Sequence, residues 1–172
     1  MNSLNKSKTE AKWDILETKE LLHIDSRLTV SVQKVRLPNG RVVEDYYQVV
    51  YPESVIIAAV THDNKVVMSR QYLHGFGDTS IVLPAGTVAK SETPLETAKR
   101  ELLEETGYIS QEWQALTELY SHVNYKGSKV SFFLARNAVK AAEPASGDLE
   151  DMEIVLLHES EIINAIKNKN II

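Results

Sequence analysis

The sequence contains no cysteine among its 172 residues. Disulfide bonds, thiolate metal sites and a catalytic cysteine are therefore excluded. The chain also lacks an excess of positive charge, since 19 Lys and Arg residues face 24 Asp and Glu residues and the formal net charge is −5. Because a negative mean field repels phosphate polyanions, we expect no nucleic acid partner.

Long hydrophobic runs are missing as well. No apolar stretch approaches the ~18 residues that a membrane-spanning helix needs, and the first residues carry no apolar segment typical of a secretory signal. We therefore expect a cytoplasmic protein that has no membrane partner. The chain contains 43% hydrophobic and 25% charged residues, a composition typical of globular proteins. At this length that mixture predicts a sizeable core and, by default, one domain.

The first third of the chain is predicted to be antiparallel sheet. Residues 1–12 are polar and without periodicity, so we expect a flexible tail followed by a single domain over residues 13–172. Two β-branched segments, 28–37 and 41–51, flank Pro38-Asn39-Gly40 and predict a hairpin within an N-terminal strand region, 13–51. The remaining residues, 52–172, form the predicted core, which opens with a second hairpin.

The predicted core contains six strands and two helices. The second hairpin comprises residues 54–61 and 65–71, and a short apolar strand follows at 81–83. A helix is predicted from Pro94, after a capping box, to Thr106, before Gly107. The later elements are strands at 113–121, 129–136 and 152–157, an acidic loop at 141–151 and a closing helix at 159–167. This order predicts an α+β fold.

The first predicted helix carries an acidic cluster. Glu101, Glu104 and Glu105 differ by three and four positions, so their carboxylates share one helix face. Arg100 lies four residues from both Glu96 and Glu104 and can pair with either. Three like charges within about one turn repel one another, and such a cluster suits a hard divalent cation better than it suits folding. The alternative is a solvated helix face whose ion pairs stabilise the helix by a few tenths of a kcal/mol each.

The surroundings of these carboxylates form a longer pattern. It reads Gly86-x5-Glu92-x7-Arg100-Glu101-Leu102-x-Glu104-Glu105-x-Gly107-Tyr108. This pattern resembles the Nudix box, the signature of hydrolases that act on a nucleoside diphosphate linked to another moiety. All its fixed positions match, and with average residue frequencies a chance match in a chain of this length is on the order of 10⁻⁶.

The resemblance implies a fold and a metal site. The implied fold is the family's α/β/α sandwich with a mixed central sheet. In the implied site Glu101 and Glu105 are metal ligands, Glu104 helps to hold a second metal or its water, and the carbonyl of Ala85 or Gly86 completes the sphere. Mg²⁺ is the implied ion, with Mn²⁺ as the alternative, since hard cations prefer oxygen donors.

The resemblance also implies roles in catalysis. Arg100 would orient the carboxylates through a salt bridge to Glu104. Glu92 would brace the loop before the helix or, alternatively, simply complement the helix dipole. Metal ions would neutralise phosphate oxygens and activate a water molecule for in-line attack. Because the loop 122–128 contains no carboxylate, the candidates for the general base are Glu104 and, in the acidic loop and its flank, Glu150 and Glu153.

A second resemblance concerns the substrate. The run Arg70-Gln71-Tyr72, followed after a loop by Leu83-Pro84-Ala85-Gly86, is similar to the ADP-ribose and nucleotide-sugar branch of the Nudix family. In that branch Arg70 would lie at the substrate site, and Tyr125 is a candidate to stack on a base or sugar. The branch implies a homodimer that cleaves a small nucleotide sugar to a nucleoside monophosphate and a sugar phosphate. The alternatives are a nucleoside triphosphate or dinucleotide polyphosphate pyrophosphohydrolase, or a Nudix-fold sensor that binds a nucleotide without cutting it.

Overall fold

The computed structural model describes residues 12–145, residue 147 and residues 152–171, and divides the chain into two compact units. The first unit extends to Tyr51 and also includes His122–Gly127, and the second comprises Pro52–Ser121 and the chain from Ser128 onward. The division after Tyr51 coincides with the predicted boundary between strand region and core. The segment His122–Gly127 was predicted within the core and groups with the first unit instead. The single domain stays a prediction, and the predicted tail, apart from Lys12, lies outside the described residues.

The first unit is built on three antiparallel strands. They are β1 (Asp14–Ile24), β2 (Leu28–Arg36) and β3 (Val42–Val50). The predicted hairpin of β2 and β3 is confirmed, and its turn uses Gly40 at φ 84°, where glycine is favoured. Every residue of β1 is exposed, so its sequence lacks the alternation that predicts a strand. A 3₁₀ helix, Val123–Tyr125, completes this unit before the first residues of the next strand pair with β3.

The second unit contains a mixed sheet, as predicted. Its strands lie in the order β9 (Glu112–Ser121), β10 (Lys126–Lys140, from Ser128 in this unit), β4 (Ser54–Thr61), β5 (Val66–Leu73) and β11 (Glu153–Leu157). Strands β10 and β4 are parallel, and the other neighbours are antiparallel. Three short strands pair along this sheet: β6 (Asp78–Val82) with β5, β7 (Ala85–Thr87) with β4, and β8 (Tyr108–Ile109) with β10. Strands β7 and β8 are too short to show a period, and the sequence did not predict them.

The two helices have the bounds that the sequence predicts. They are α1 (Pro94–Thr106) and α2 (Glu159–Lys167). At the start of α1 the hydroxyl of Thr93 accepts from the Glu96 amide at 3.3 Å, and the Glu96 carboxylate accepts from the Thr93 amide at 2.7 Å. Gly107 ends the helix at φ 75° and donates its amide to the carbonyl of Leu103 at 2.8 Å. A Cβ at this position would collide with the carbonyl of Ala142, so glycine is required there.

Helix α1 covers one face of the sheet. It contacts β4, β5, β7 and β8, and Ala98 and Leu102 on its apolar stripe are fully buried. Burial of this stripe directs the opposite, acidic side of the helix away from the core, as the sequence predicts. The buried cluster comprises Val55, Ile57, Ala59, Val67, Ala98, Leu102, Phe133, Ala135 and Ala138. No helix in the described part of the chain is both long and apolar enough to cross a membrane.

Candidate active site

Arg100, in the middle of α1, is the centre of a hydrogen-bonded cluster. Its Nε and Nη2 donate to the two carboxylate oxygens of Glu92 at 2.9 and 3.0 Å. Its Nη1 contacts a carboxylate oxygen of Glu101 and one of Glu104, each at 2.8 Å. The predicted pairing of Arg100 with Glu104 is confirmed. Pairing with Glu96 is not observed, because the Glu96 carboxylate caps the helix.

Glu105 and Glu101 border the short strand β7. The Glu105 carboxylate accepts from the amide of Ala85 at 3.1 Å. Gly86 lies directly against the side chain of Glu101, where a Cβ would overlap the carboxylate. Glycine is therefore the residue that lets the strand approach the helix this closely. The helix carboxylates and the peptide groups of Ala85 and Gly86, which the sequence predicted to act together, are neighbours.

These contacts shift the pKa values of several charged groups. Hydrogen bonds from Arg100, and then from Thr97, hold the pKa of Glu92 below its usual value. The Arg100 guanidinium has its pKa raised, first by the Glu92 carboxylate and further by Glu104 and Glu101. The pKa of Glu96 is lowered by hydrogen bonds from the backbone and hydroxyl of Thr93. Glu92, Glu96 and Arg100 are therefore charged at neutral pH.

The donor chemistry fits a hard divalent cation. Three carboxylates on one helix face, beside the peptide groups of β7, offer oxygen atoms only, which Mg²⁺ and Mn²⁺ prefer. In the described residues no three His, Cys, Asp or Glu side chains are gathered in a way that could hold a metal ion. Two of the helix carboxylates instead contact Arg100, which offsets part of their mutual repulsion. Glu101 and Glu104, two of the three predicted ligands, thus contact an internal cation, and the third, Glu105, contacts β7.

Arg70 lies on the other face of the sheet. It stands directly opposite Glu153 on β11 and donates Nη1 to that carboxylate at 2.7 Å. Val67, three residues earlier on β5, belongs to the buried cluster that α1 covers. Since successive side chains of a strand alternate between faces, Arg70 and Glu153 leave the sheet on the face away from α1. Arg70 there lines a cavity of about 250 Å³ together with Phe76, Asp78 and Lys169, among others.

The other predicted residues are placed as follows. Tyr125 ends the 3₁₀ helix of the first unit and is exposed. Glu150 lies outside the described residues. Glu153, a second candidate for the general base, forms an ion pair with Arg70. Glu104 is the candidate base that lies beside the other carboxylates of α1.

A comparison with known proteins identifies the family. A family model described as the NUDIX domain matches residues 50–171. The chain belongs to the Nudix family. This match covers the carboxylate cluster, both helices and the mixed sheet, so the recognition drawn from the Gly86–Tyr108 pattern is confirmed. The predicted α+β Nudix sandwich and the predicted class of enzyme, a Nudix pyrophosphatase, are confirmed with it.

Individual relatives are similar in sequence over most of the chain. An ADP-ribose pyrophosphatase of Bacillus subtilis (strain 168) is 32% identical over 87% of the chain and 79% of the relative. A methanol dehydrogenase activator of Bacillus methanolicus is 31% identical over 83% of the chain and 77% of the relative. In a crystal structure of an ADP compounds hydrolase, the fold matches with a TM-score of 0.80 over 94% of this chain and 86% of that one, at 22% identity. That last likeness concerns the fold alone.

Sequence reasoning missed one member of the cluster. Thr97 is fully buried on α1, and its hydroxyl donates to Glu92 at 2.8 Å. The two residues are five positions apart and the helix begins between them, so neither helical nor strand periodicity relates them. The capping box at Thr93 and Glu96 is the signal that could have shown that the chain turns into the helix between Glu92 and Thr97.

Proposed function

We propose that this Nudix protein hydrolyses the diphosphate of a nucleoside diphosphate linked to a sugar, of the ADP-ribose type, to a nucleoside monophosphate and a sugar phosphate. The observation that carries the proposal is the contact of the α1 carboxylates with β7, where Glu105 accepts from the Ala85 amide at 3.1 Å and Glu101 lies against Gly86. The family match and the ADP-ribose pyrophosphatase relative support the reaction class.

The proposed metal ligands are Glu101, Glu104 and Glu105, with the carbonyl of Ala85 or Gly86. A bound Mg²⁺ or Mn²⁺ supplies charge neutralisation at the diphosphate and lowers the pKa of a water molecule. Arg100 holds two of these carboxylates at 2.8 Å and so keeps them on one side of the helix. Because a cation has to compete with Arg100 for Glu101 and Glu104, we expect reversible metal binding rather than permanent occupancy.

Glu104 is the proposed general base. It takes a proton from the attacking water while the new oxygen–phosphorus bond forms and the anhydride bond breaks, and the leaving phosphate departs with the electron pair. Glu104 is the more exposed of the two carboxylates bound to Nη1 of Arg100, at 42% against 15% for Glu101. A base must exchange its proton with solvent after each turnover, and this exposure supports the assignment.

Arg70 and Tyr125 are the proposed substrate contacts. Because Arg70 leaves the sheet on the face away from α1, we propose that it contacts a part of the substrate remote from the reacting diphosphate. The cavity of about 250 Å³ beside it supports this role. Tyr125 presents an exposed ring of the kind that stacks on a base or sugar.

The protein is also proposed to be a homodimer. Each unit exposes large apolar side chains, among them Ile15 and Leu22 on β1 and Leu119 and Tyr120 on β9. Exposed large apolar side chains are a feature of surfaces that bind other proteins, and this observation supports the proposal. Light scattering coupled to size-exclusion chromatography measures the mass directly, and a monomer at micromolar concentration would contradict the proposal.

The deciding experiment measures products from a panel of ADP-ribose, ADP-glucose, GDP-mannose, NADH, dinucleotide polyphosphates and nucleoside triphosphates, with Mg²⁺ or Mn²⁺. The test variant is Glu105→Gln, and the matched control is Glu159→Gln in the first turn of α2. We expect one sugar nucleotide to yield a monophosphate, with turnover lost in Glu105→Gln and retained in the control.

Other outcomes select among the alternatives. Preferential cleavage of a triphosphate or a dinucleotide polyphosphate would move the assignment to that class of pyrophosphohydrolase. Binding of a nucleotide without any turnover would favour the sensor, an alternative that the loop 122–128, which contains no carboxylate, also favours. Equal turnover by Glu105→Gln and wild type would remove Glu105 from the metal site.

A further inference from the structure

The hydroxyl of Thr97 anchors the charged cluster to the core. Thr97 is on the buried side of α1 with a fractional exposure of 0%. Its Oγ1 donates to a carboxylate oxygen of Glu92 at 2.8 Å. Thr97 is the fourth residue of α1, and a threonine hydroxyl within a helix can bond to a carbonyl three or four residues earlier. Here it is directed to a carboxylate outside the helix instead.

Within the described part of the chain, Glu92 receives side-chain donors from two residues. Arg100 donates Nε and Nη2 to its two oxygens, and Thr97 donates to the oxygen that also receives Nη2. Glu92 and Arg100 are partly exposed, at 24% and 33%. Ion pairs of that exposure hold long side chains weakly, because water competes and rotamer freedom is lost. Of the three residues, Thr97 is buried and has restricted rotamers. Its hydroxyl therefore determines the position of the Glu92–Arg100 pair.

The same chain of contacts continues to the acidic face. Nη1 of Arg100 contacts Glu101 and Glu104, each at 2.8 Å. Hydrogen bonds therefore run without interruption from the core, through Thr97, Glu92 and Arg100, to two carboxylates of α1. We infer that Thr97 is a positioning residue, which orients the proposed metal-binding carboxylates through Glu92 and Arg100. This inference rests on the proposed function in one respect, the role of those carboxylates as metal ligands.

The test replaces the hydroxyl and keeps the shape. Thr97→Val is nearly isosteric but cannot donate, and Thr97→Ser keeps the donor. The matched control is Thr61→Val: Thr61 is also buried and also donates to a carboxylate, that of Asp63 at 2.7 Å, in the turn between β4 and β5. All variants are made in the full chain, and circular dichroism first establishes that each is folded.

Two readouts are compared. The first is the Kd for Mn²⁺, measured by electron paramagnetic resonance of the free ion, with kcat and KM for ADP-ribose beside it. We expect Thr97→Val to raise the Kd by about tenfold, since residues that orient metal ligands typically contribute 10–100-fold, and to lower kcat more than it changes KM. Thr97→Ser should restore both values to within about twofold of wild type, and Thr61→Val should leave them unchanged.

The second readout does not depend on metal or turnover. The Nε–H resonance of Arg100, assigned by its absence in Arg100→Lys, reports directly on the bond to Glu92. We expect a slowly exchanging signal in wild type and Thr97→Ser and its loss in Thr97→Val. A wild-type Kd and a retained resonance in folded Thr97→Val would overturn the inference, as would failure of Thr97→Ser to rescue. If wild type binds no Mn²⁺ and cleaves nothing, the proposed function fails, and the resonance alone decides whether Thr97 positions Arg100.

Discussion

Arg100 donates two parallel hydrogen bonds to Glu92, from Nε to Oε1 at 2.9 Å and from Nη2 to Oε2 at 3.0 Å. This fork geometry is specific to arginine and leaves Nη1 to reach the carboxylates of Glu101 and Glu104. One side chain thus joins the segment before α1 to the acidic face of the helix. Repulsion among the carboxylates is partly offset by this cation.

Arg100→Lys should separate geometry from charge. Lysine keeps the positive charge but cannot bond to Glu92 and to the helix carboxylates at once. We expect kcat/KM and Mn²⁺ affinity to fall by roughly 10–100-fold. Steady-state kinetics and metal titration provide the check, with the exposed Arg136→Lys as control. Wild-type kinetics in Arg100→Lys would show that charge alone suffices.

Gly86→Ala tests the close approach of β7 to the helix. The added Cβ would overlap the Glu101 carboxylate, so that carboxylate has to move. Displacements of about 1 Å at a catalytic site can lower activity on the order of 100-fold. The control is Gly75→Ala, where a Cβ would find nothing within 4 Å. If both variants turn over substrate equally well, Glu101 does not act from the position that the structure gives it.

Leu102→Ala and Leu103→Ala compare the two sides of α1 at neighbouring positions. Leu102 is fully buried, whereas Leu103 is 38% exposed. We expect Leu102→Ala to lower the free energy of unfolding by about 2–5 kcal/mol and Leu103→Ala by less than about 1 kcal/mol. Urea denaturation at constant pH measures both values. Similar losses would contradict the orientation of the helix described above.

Stability should depend on Asp63 at acid pH. Hydrogen bonds from Lys65, and then from Thr61, lower the pKa of Asp63 to about 2 from 3.8. The folded state therefore binds its proton less readily than the unfolded state does, and this contribution is fully present above the unfolded pKa. It is lost as the pH falls from about 4 to about 2. The difference in unfolding free energy between wild type and Asp63→Asn should shrink across that range, and a constant difference would refute the linkage.

Arg70→Ala should raise KM for a nucleotide sugar by roughly tenfold, the effect of losing one charge-assisted hydrogen bond. Glu153→Gln is the informative partner variant, because it breaks the 2.7 Å ion pair and leaves the guanidinium in place. The pair is exposed, so its own contribution to stability is at most about 1 kcal/mol. A raised KM in Arg70→Ala alone supports contact with substrate. The same KM in all three proteins would remove Arg70 from the site.

The sequence determined those features whose parts lie within a few residues of one another. The capping box at Thr93, the end of α1 at Gly107 and the shared face of Glu101, Glu104 and Glu105 all follow from local backbone geometry and helical spacing. For that reason the bounds of α1, the acidic cluster and the family could be predicted from the order of the residues alone.

Tertiary structure decided which partners these groups choose. Arg100 selects Glu92 and Glu104 rather than Glu96, because the carboxylate of Glu96 is already bound at the helix cap. Strand β7 lies beside the helix because it pairs with β4, and Arg70 meets a carboxylate 83 positions away only through strand register. Such contacts depend on packing between distant segments, and no period in the sequence records them.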